Sequence, residues 1–297
     1  MTIAIRSIAF IGFGEAGGIL GAELARRELT VSAYDVLLEA PAARQAMRSK
    51  MQAAGVRPGA GVREIVQDSQ LVISAVTASE SARVAQETAP HLRAGQFYLD
   101  INSVSPATKR ASSECIEAGG ASYVEAAVMA PVPPQRLAVP MLLGGAQAQA
   151  LAEALRALGM NATAVSERIG VASAVKMCRS IIIKGLEAIT LESLFAARCF
   201  GAEREVLASL ERSYPQMGWA GDLPDYLVSR VAEHGRRRAA EMREVVRTLT
   251  DAGLTALMAA ATAQRQDRLI DEMAEHGIEY RAGERFSWRE LADQLKP

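Results

Sequence analysis

An α/β Rossmann-type doubly wound sheet followed by an all-α C-terminal domain, joined by one long helix, is the fold class that the sequence predicts. Three observations lead there. Short apolar runs alternate with helical patterns up to about residue 166, the first run feeds a glycine loop, and beyond Gly170 strand signals stop while helical periodicity continues. The expected boundaries are 1–168 for the α/β domain and 169–297 for the helical one.

Residues 7–11 form the first apolar run. Gly12-Phe13-Gly14-Glu15-Ala16-Gly17 follows, then the helical pattern of Ile19, Leu20, Ala22 and Leu24. This order of strand, glycine loop and helix is what a G-x-G-x-x-G dinucleotide site requires. Gly12 permits a tight turn, Gly14 admits a pyrophosphate against the backbone, and Gly17 lets the helix pack on the strand with its N-terminus towards the phosphates. Phe13, Glu15 and Ala16 complete the expected cofactor loop. A second strand, 30–34, ends in Asp35, about 20 residues past the loop, where an acid binds ribose hydroxyls. No Arg or Lys follows before Arg44, so nothing nearby neutralises a 2′-phosphate and NAD is expected over NADP. Asp35 also suits an ordinary turn after a strand.

The alternation continues with a buried strand over 71–76, whose last residue, Val76, is placed at the cofactor. Thr77 to Glu80 reads as a capping box opening a helix that Pro90 ends. A strand over 96–101 leads into Asn102 and Ser103, just past its carboxyl end, where ligands gather in doubly wound sheets. Asn102 is assigned to the cofactor and Ser103 to the substrate, although both also suit plain loop positions. Ser105 caps the next helix with Pro106 in its first turn. Strands follow at 122–128, 140–144 and 163–166, the first two separated by Met129-Ala130-Pro131-Val132-Pro133-Pro134, a stiff uncharged loop.

Residues 170–199 hold no proline and one interior glycine, Gly185. They read as a single helix of about 30 residues and ~45 Å, apolar on nearly every side and therefore buried. Lys176, Arg179, Ser180, Ile183 and Lys184 share a face on it, mixing cations with aliphatic side chains. A lysine there can also snorkel to solvent. Breakers crowd the stretch from Tyr214 to Pro224; helices are expected at 225–250 and 254–274, and Ser287 with Glu290 caps a short last helix. The run His234 to Met242, with Arg236, Arg237 and Arg238, suits either a solvated face or a ligand-facing one.

The chain has 297 residues, 49% of them hydrophobic and 23% charged, with a net charge of -1. These values point to an ordinary globular protein and give no reason to expect nucleic acid or an anionic membrane as partner. Cys115, Cys178 and Cys199 are too few and scattered for a disulfide framework or a metal site, which suggests a reducing compartment, the cytoplasm by default. The N-terminal apolar stretch runs into glycines without a cleavage site, and no uncharged run is long enough to span a bilayer.

The GFGEAG loop, Asp35, the Asp100-Ile101-Asn102-Ser103 strand end and the Gly170-x5-Lys176 spacing together resemble the β-hydroxyacid dehydrogenase family, with its 3-hydroxyisobutyrate dehydrogenase and 6-phosphogluconate dehydrogenase-like members. The resemblance covers the first ~200 residues and implies Lys176 as the catalytic residue of an oxidoreductase acting on a small hydroxy acid. It also implies long helices interlocked between protomers, so a homodimer or homotetramer is expected. The chain departs from the family at three places. Met129-Ala130-Pro131 stands where members carry a carboxylate-binding Ser-Gly-Gly, Arg179 stands where they carry Asn, and no C-terminal Lys-Asp pair is evident. The C-terminal half therefore looks like a divergent branch.

Hydride transfer from an alcohol requires a group that removes the hydroxyl proton. A lysine desolvated beside a cationic nicotinamide is drawn towards its neutral form and can serve, as general base in oxidation and general acid in reduction. A small anionic substrate is expected to meet Arg179, Ser180 and Arg238 as well as Ser103, Met129 and Ala130, because a guanidinium grips a carboxylate with two parallel hydrogen bonds. Two other classes stay open, an imine reductase-like enzyme and a non-catalytic NAD-binding protein.

Overall fold

A computed structural model describes residues 3–295. Among these, eight strands form one sheet: β1 (Ser7–Ile11), β2 (Thr30–Tyr34), β3 (Arg57–Pro58), β4 (Leu71–Ser74), β5 (Phe97–Asp100), β6 (Ser122–Val128), β7 (Met141–Gly144) and β8 (Ala162–Ser166). Their order is β3-β2-β1-β4-β5-β6-β7-β8, and all neighbours are parallel except β6 and β7. The order reverses between β1 and β4, so the crevice at the strands' carboxyl ends opens beside the first glycine loop. Successive side chains leave a strand on opposite faces. Ile8 and Phe10 accordingly join one apolar cluster and Ala9 and Ile11 another, and the sheet is covered on both sides.

The helices of this part are α1 (Glu15–Ala25), α2 (Pro41–Ala53), α3 (Val62–Gln67), α4 (Ser81–Thr88), α5 (Pro106–Ala118), α6 (Val132–Gln135) and α7 (Ala148–Ala157). Ser105 caps α5 as expected, its Oγ accepting from the Thr108 N–H at 3.3 Å, with Pro106 as the first helical residue. Two expectations are corrected. Thr77 makes no capping box: its hydroxyl pairs with Ser79 Oγ, and Glu80 turns instead to Arg83. The uncharged 129–134 stretch is not all loop, because Pro133 and Pro134 fall in the first turn of α6, where a missing N–H costs nothing.

Next come α8 (Val171–Cys199), α9 (Glu203–Ser213), α10 (Leu223–Asp251), α11 (Leu257–Glu275) and α12 (Trp288–Gln294). The chain divides into compact units at Met1–Lys176 and Met177–Pro297, so the division falls inside α8. The second unit has its own core of Leu191, Leu194, Val228, Val231, Leu269 and Trp288. Pro224 does not precede α10 but lies in its first turn. At Gly235 the α10 backbone meets α11 so closely that an added Cβ would lie 2.8 Å from the Gln266 carbonyl oxygen, and only glycine allows that crossing. Ser287 caps α12, accepting from the Glu290 N–H at 3.3 Å.

The expectation that α8 is buried on every side is also corrected. Leu191 and Leu194 are fully enclosed, but Val175, Ile182, Ile183 and Ile189 are exposed, Ile182 by 72%. The basic run of α10 is solvent-exposed at Arg236 and Arg237, yet its arginines have partners. Arg236 pairs with Asp267 and Asp271 of α11, and Arg238 turns to α8.

Candidate functional site

Four strand ends meet at the crevice. Beyond β1, Gly12 takes φ +92°, and an added Cβ would stand 2.4 Å from the Ala75 carbonyl oxygen beyond β4. A Cβ on Gly17 would stand 2.2 Å from the Gly12 carbonyl oxygen, whereas one on Gly14 would meet nothing within 4 Å. The three glycines thus divide as tight turn, open cradle and close packing. The N-cap residue of α1 is Gly14, which has no side chain to cap the helix, and Glu15 stands in the first turn. Asp35, beyond β2, ties the loop down: Phe13 N–H donates to Oδ2 at 2.7 Å and Leu37 N–H to Oδ1 at 3.0 Å. Each carboxylate oxygen keeps a lone pair for ribose hydroxyls. Arg44, the nearest following cation in sequence, is held by the Leu38 and Glu39 carbonyls at 2.7 and 3.2 Å.

Behind this rim lies a buried polar network. Val76 N–H donates to Asn102 Oδ1 at 2.7 Å, and Asn102 Nδ2 donates to Ser74 Oγ and Ser81 Oγ at 2.9 and 3.2 Å. The amide of Asn102 therefore joins the ends of β4 and β5, with both its donors taken. Beneath it Asp100 and Lys109, each 1% exposed, pair at 2.9 Å, and Tyr123 donates to Asp100 Oδ2 at 2.8 Å. Burial, then the Asp100 charge, pushes the Tyr123 phenol well above its ordinary range, so it remains a donor. Ser103 Oγ is enclosed without a hydrogen-bond partner among the described residues.

The start of α8 is bonded into the same sheet. Glu125 of β6, fully buried, accepts from Gly170 and Ala172 N–H through Oε1 at 2.7 and 3.0 Å and from Ser173 N–H through Oε2 at 3.3 Å. Lys176 follows, half-buried on the second turn. Arg179, one turn on, is exposed and Ser180 is buried. Met129 and Ala130 are half-buried beyond β6, with the Met129 N–H taken by the Pro140 carbonyl at 2.9 Å.

Within the second unit, Arg238 grips the buried Glu187 with both arms of its guanidinium, Nε to Oε2 at 2.7 Å, and Lys184 pairs with Glu241. Burial pulls the Lys184 amine down and pushes the Glu187 carboxyl up, while their partners oppose both shifts. Of the cations expected at a substrate, Arg238 thus already holds a carboxylate.

The first half of this geometry has a counterpart among known proteins. Residues 7–170 match the model of the NAD binding domain of 6-phosphogluconate dehydrogenase, more than half of the chain. The chain belongs to that family. Residues 197–269 match a second model, a domain of unknown function (DUF1932). A conserved hypothetical protein from Sinorhizobium meliloti is similar over the whole molecule, with 38% identity, coverage of 99% of this chain and 97% of that one, and a TM-score of 0.81. The conserved protein MTH1747, whose structure is described as similar to 3-hydroxyacid dehydrogenases, shares 30% identity over 89% of this chain and 97% of that one, with a TM-score of 0.71. An NAD-dependent L-serine dehydrogenase from Pseudomonas aeruginosa is 23% identical over 223 residues, 73% of this chain and 72% of that protein.

As a member of the 6-phosphogluconate dehydrogenase NAD-binding family, the protein has a nicotinamide-cofactor domain over residues 7–170. Three functional elements escape the sequence reading. Lys50 of α2 donates to the Phe13 and Gly14 carbonyls at 2.8 and 2.9 Å, clamping the glycine loop from 36 or more residues away. The Asp100–Lys109 pair and Glu125 are the others. Their one signal in the sequence is a carboxylate inside or ending an apolar strand, Phe97–Asp100 or Ser122–Val128.

Proposed function

We propose that the protein transfers hydride between NAD and the alcohol carbon of a small hydroxy acid, with Lys176 moving the hydroxyl proton. The observation that carries this reading is the anchoring of Lys176 one turn beyond a helix start bonded into the sheet that carries the glycine rim. The open space at Gly14 fits a pyrophosphate, and Gly12 and Gly17 fit the loop that cradles it. Asp35 receives the ribose hydroxyls, and its charge, with Arg44 held by two backbone carbonyls, favours NAD over NADP. When bound, the nicotinamide accepts or returns the hydride at its C4.

This chain's own residues do the rest. Lys176 takes the hydroxyl proton in oxidation and, as ammonium, polarises the carbonyl and returns the proton in reduction. Ser103, just past the end of β5, is the hydroxyl assigned to the substrate, which its enclosed Oγ reaches by a side-chain rotation. Arg179 supports an anionic substrate ahead of Arg238, whose guanidinium is taken by Glu187. Met129 and Ala130 offer no side-chain donor where relatives of the resembled family carry serine and glycine, so the substrate's carboxylate is held by a cation. The exposed Val175, Ile182, Ile183 and Ile189 on α8 support a homodimer or homotetramer built on this helix.

A panel of small hydroxy acids assayed with NAD tests the reading, alongside cyclic imines with NADH. Turnover of a hydroxy acid is expected. Turnover of imines alone transfers the site to the imine reductase class, and tight NAD binding without any turnover marks a non-catalytic NAD-binding protein.

A further inference from the structure

We infer that Glu125 is a positioning residue for the reaction: from β6 it caps α8 across the sheet and so fixes where Lys176 presents its amine. This rests on the acid/base role proposed for Lys176.

A carboxylate in the middle of a strand, with no exposed surface and no ion pair to it among the described residues, needs an explanation. The backbone supplies one. Gly170, Ala172 and Ser173 donate to its two oxygens, so three N–H groups at the helix start that lack an intrahelical acceptor, and the positive end of the helix dipole, converge on one charge. The surroundings are shaped for it. Gly144, paired with Glu125 across β6 and β7, would with a Cβ approach Oε1 to 2.6 Å, so its missing side chain is the room the carboxylate occupies. Gly170 reaches the cap at φ +101°, where an added Cβ would also stand 2.7 Å from Arg110 Nη1. Ser173 Oγ donates back to the Gly170 carbonyl at 3.2 Å and closes the turn.

A local Ser or Asp cap would leave the helix start free to move with its own loop. Glu125 instead belongs to a strand paired on both sides, so the register of β6 sets the position and rotation of the first turn. Lys176 lies three residues past Ser173, about 4.5 Å along the axis, too close to the cap for its amine to escape a shift there. A displacement of about 1 Å at a reacting group can lower a rate by as much as 10²-fold.

The test pairs two variants that disturb the cap differently. Glu125→Gln keeps the shape but turns an NH2 towards a backbone donor; Gly144→Ala keeps the charge and pushes it. Each is expected to lower kcat by roughly 10-fold, within the range that misplacement gives, while the Michaelis constant for NAD stays within about 2-fold. Amide hydrogen exchange of residues 170–174 should accelerate in both. In a Lys176→Ala background Glu125→Gln should cost no further turnover, because its effect passes through the missing amine. Native kcat in both single variants overturns the inference, as does an equal loss with and without Lys176, the signature of a general structural cap. If Glu125→Gln does not fold, Gly144→Ala carries the comparison. If Lys176→Ala itself retains native turnover, the acid/base reading has failed first, and the exchange data show whether the cap exists regardless.

Discussion

The three loop glycines offer a test in which nearly identical substitutions should have opposite consequences. An alanine at Gly12 must hold φ +92° and put Cβ 2.4 Å from the Ala75 carbonyl oxygen. The left-handed backbone costs about 1–2 kcal/mol and the overpacking about 1–3 kcal/mol, so Gly12→Ala should destabilise by roughly 2–5 kcal/mol. At Gly17 only the clash applies, 2.2 Å from the Gly12 carbonyl oxygen, but both partners are backbone and cannot rotate aside. A loss of about 1–3 kcal/mol is expected there. With about 2–4 °C per kcal/mol for a unit of this size, Gly12→Ala should lower Tm by roughly 4–20 °C and Gly17→Ala by roughly 2–12 °C. Gly14→Ala meets nothing within 4 Å and should melt within about 2 °C of the native protein, yet its methyl group stands in the pyrophosphate's path and should weaken NAD at least about 10-fold. Scanning calorimetry with and without NAD, with titration calorimetry for affinity, separates the effects. Equal Tm losses at Gly12 and Gly14, or native NAD affinity in Gly14→Ala, would refute the division of roles.

Asp35→Ala removes the charge facing a 2′-phosphate and the acceptor of the Phe13 N–H, so NAD should bind more weakly and the gap to NADP should narrow in fluorescence titrations. Lys109→Met leaves the Asp100 carboxylate buried without its cation and should cost about 3–5 kcal/mol in urea unfolding, whereas a loss under about 1 kcal/mol would mean that the network does not depend on the pair. The exposed isoleucines of α8 predict a dimer or larger assembly by light scattering, shifted towards monomer by Ile182→Glu; a native monomer at micromolar concentration rejects the expectation.

The α/β half was legible because its signals are local. Strand length, glycine spacing and the Ser105-Pro106 cap are each written within a few neighbouring residues, and β1, β2, β4, β5 and β6 fall within a residue or two of their expected limits. Long-range polar partners were not legible. Glu125 meets Gly170 across 45 positions and Lys50 meets Phe13 across 37, and no periodicity records such a meeting. Arg238 illustrates the same limit from the other side: its charge suggested an anionic ligand, and the structure gives it Glu187, 51 positions away. The Thr77 box failed because a neighbouring hydroxyl, Ser79, competed for the capping oxygen. The exposed face of α8 was not legible, because apolar periodicity records the character of each face and not what covers it.

The proton-transfer role of Lys176 is the claim on which the functional account turns. The most direct measurement is the single-turnover rate of NADH formation by Lys176→Ala, on a hydroxy acid that the native enzyme oxidises, with NAD affinity measured in the same preparation. The account predicts a rate lower by roughly 10²- to 10⁴-fold, NAD affinity nearly unchanged, and no rescue by Lys176→Arg, whose guanidinium holds its proton at working pH. A near-native rate in Lys176→Ala would contradict it.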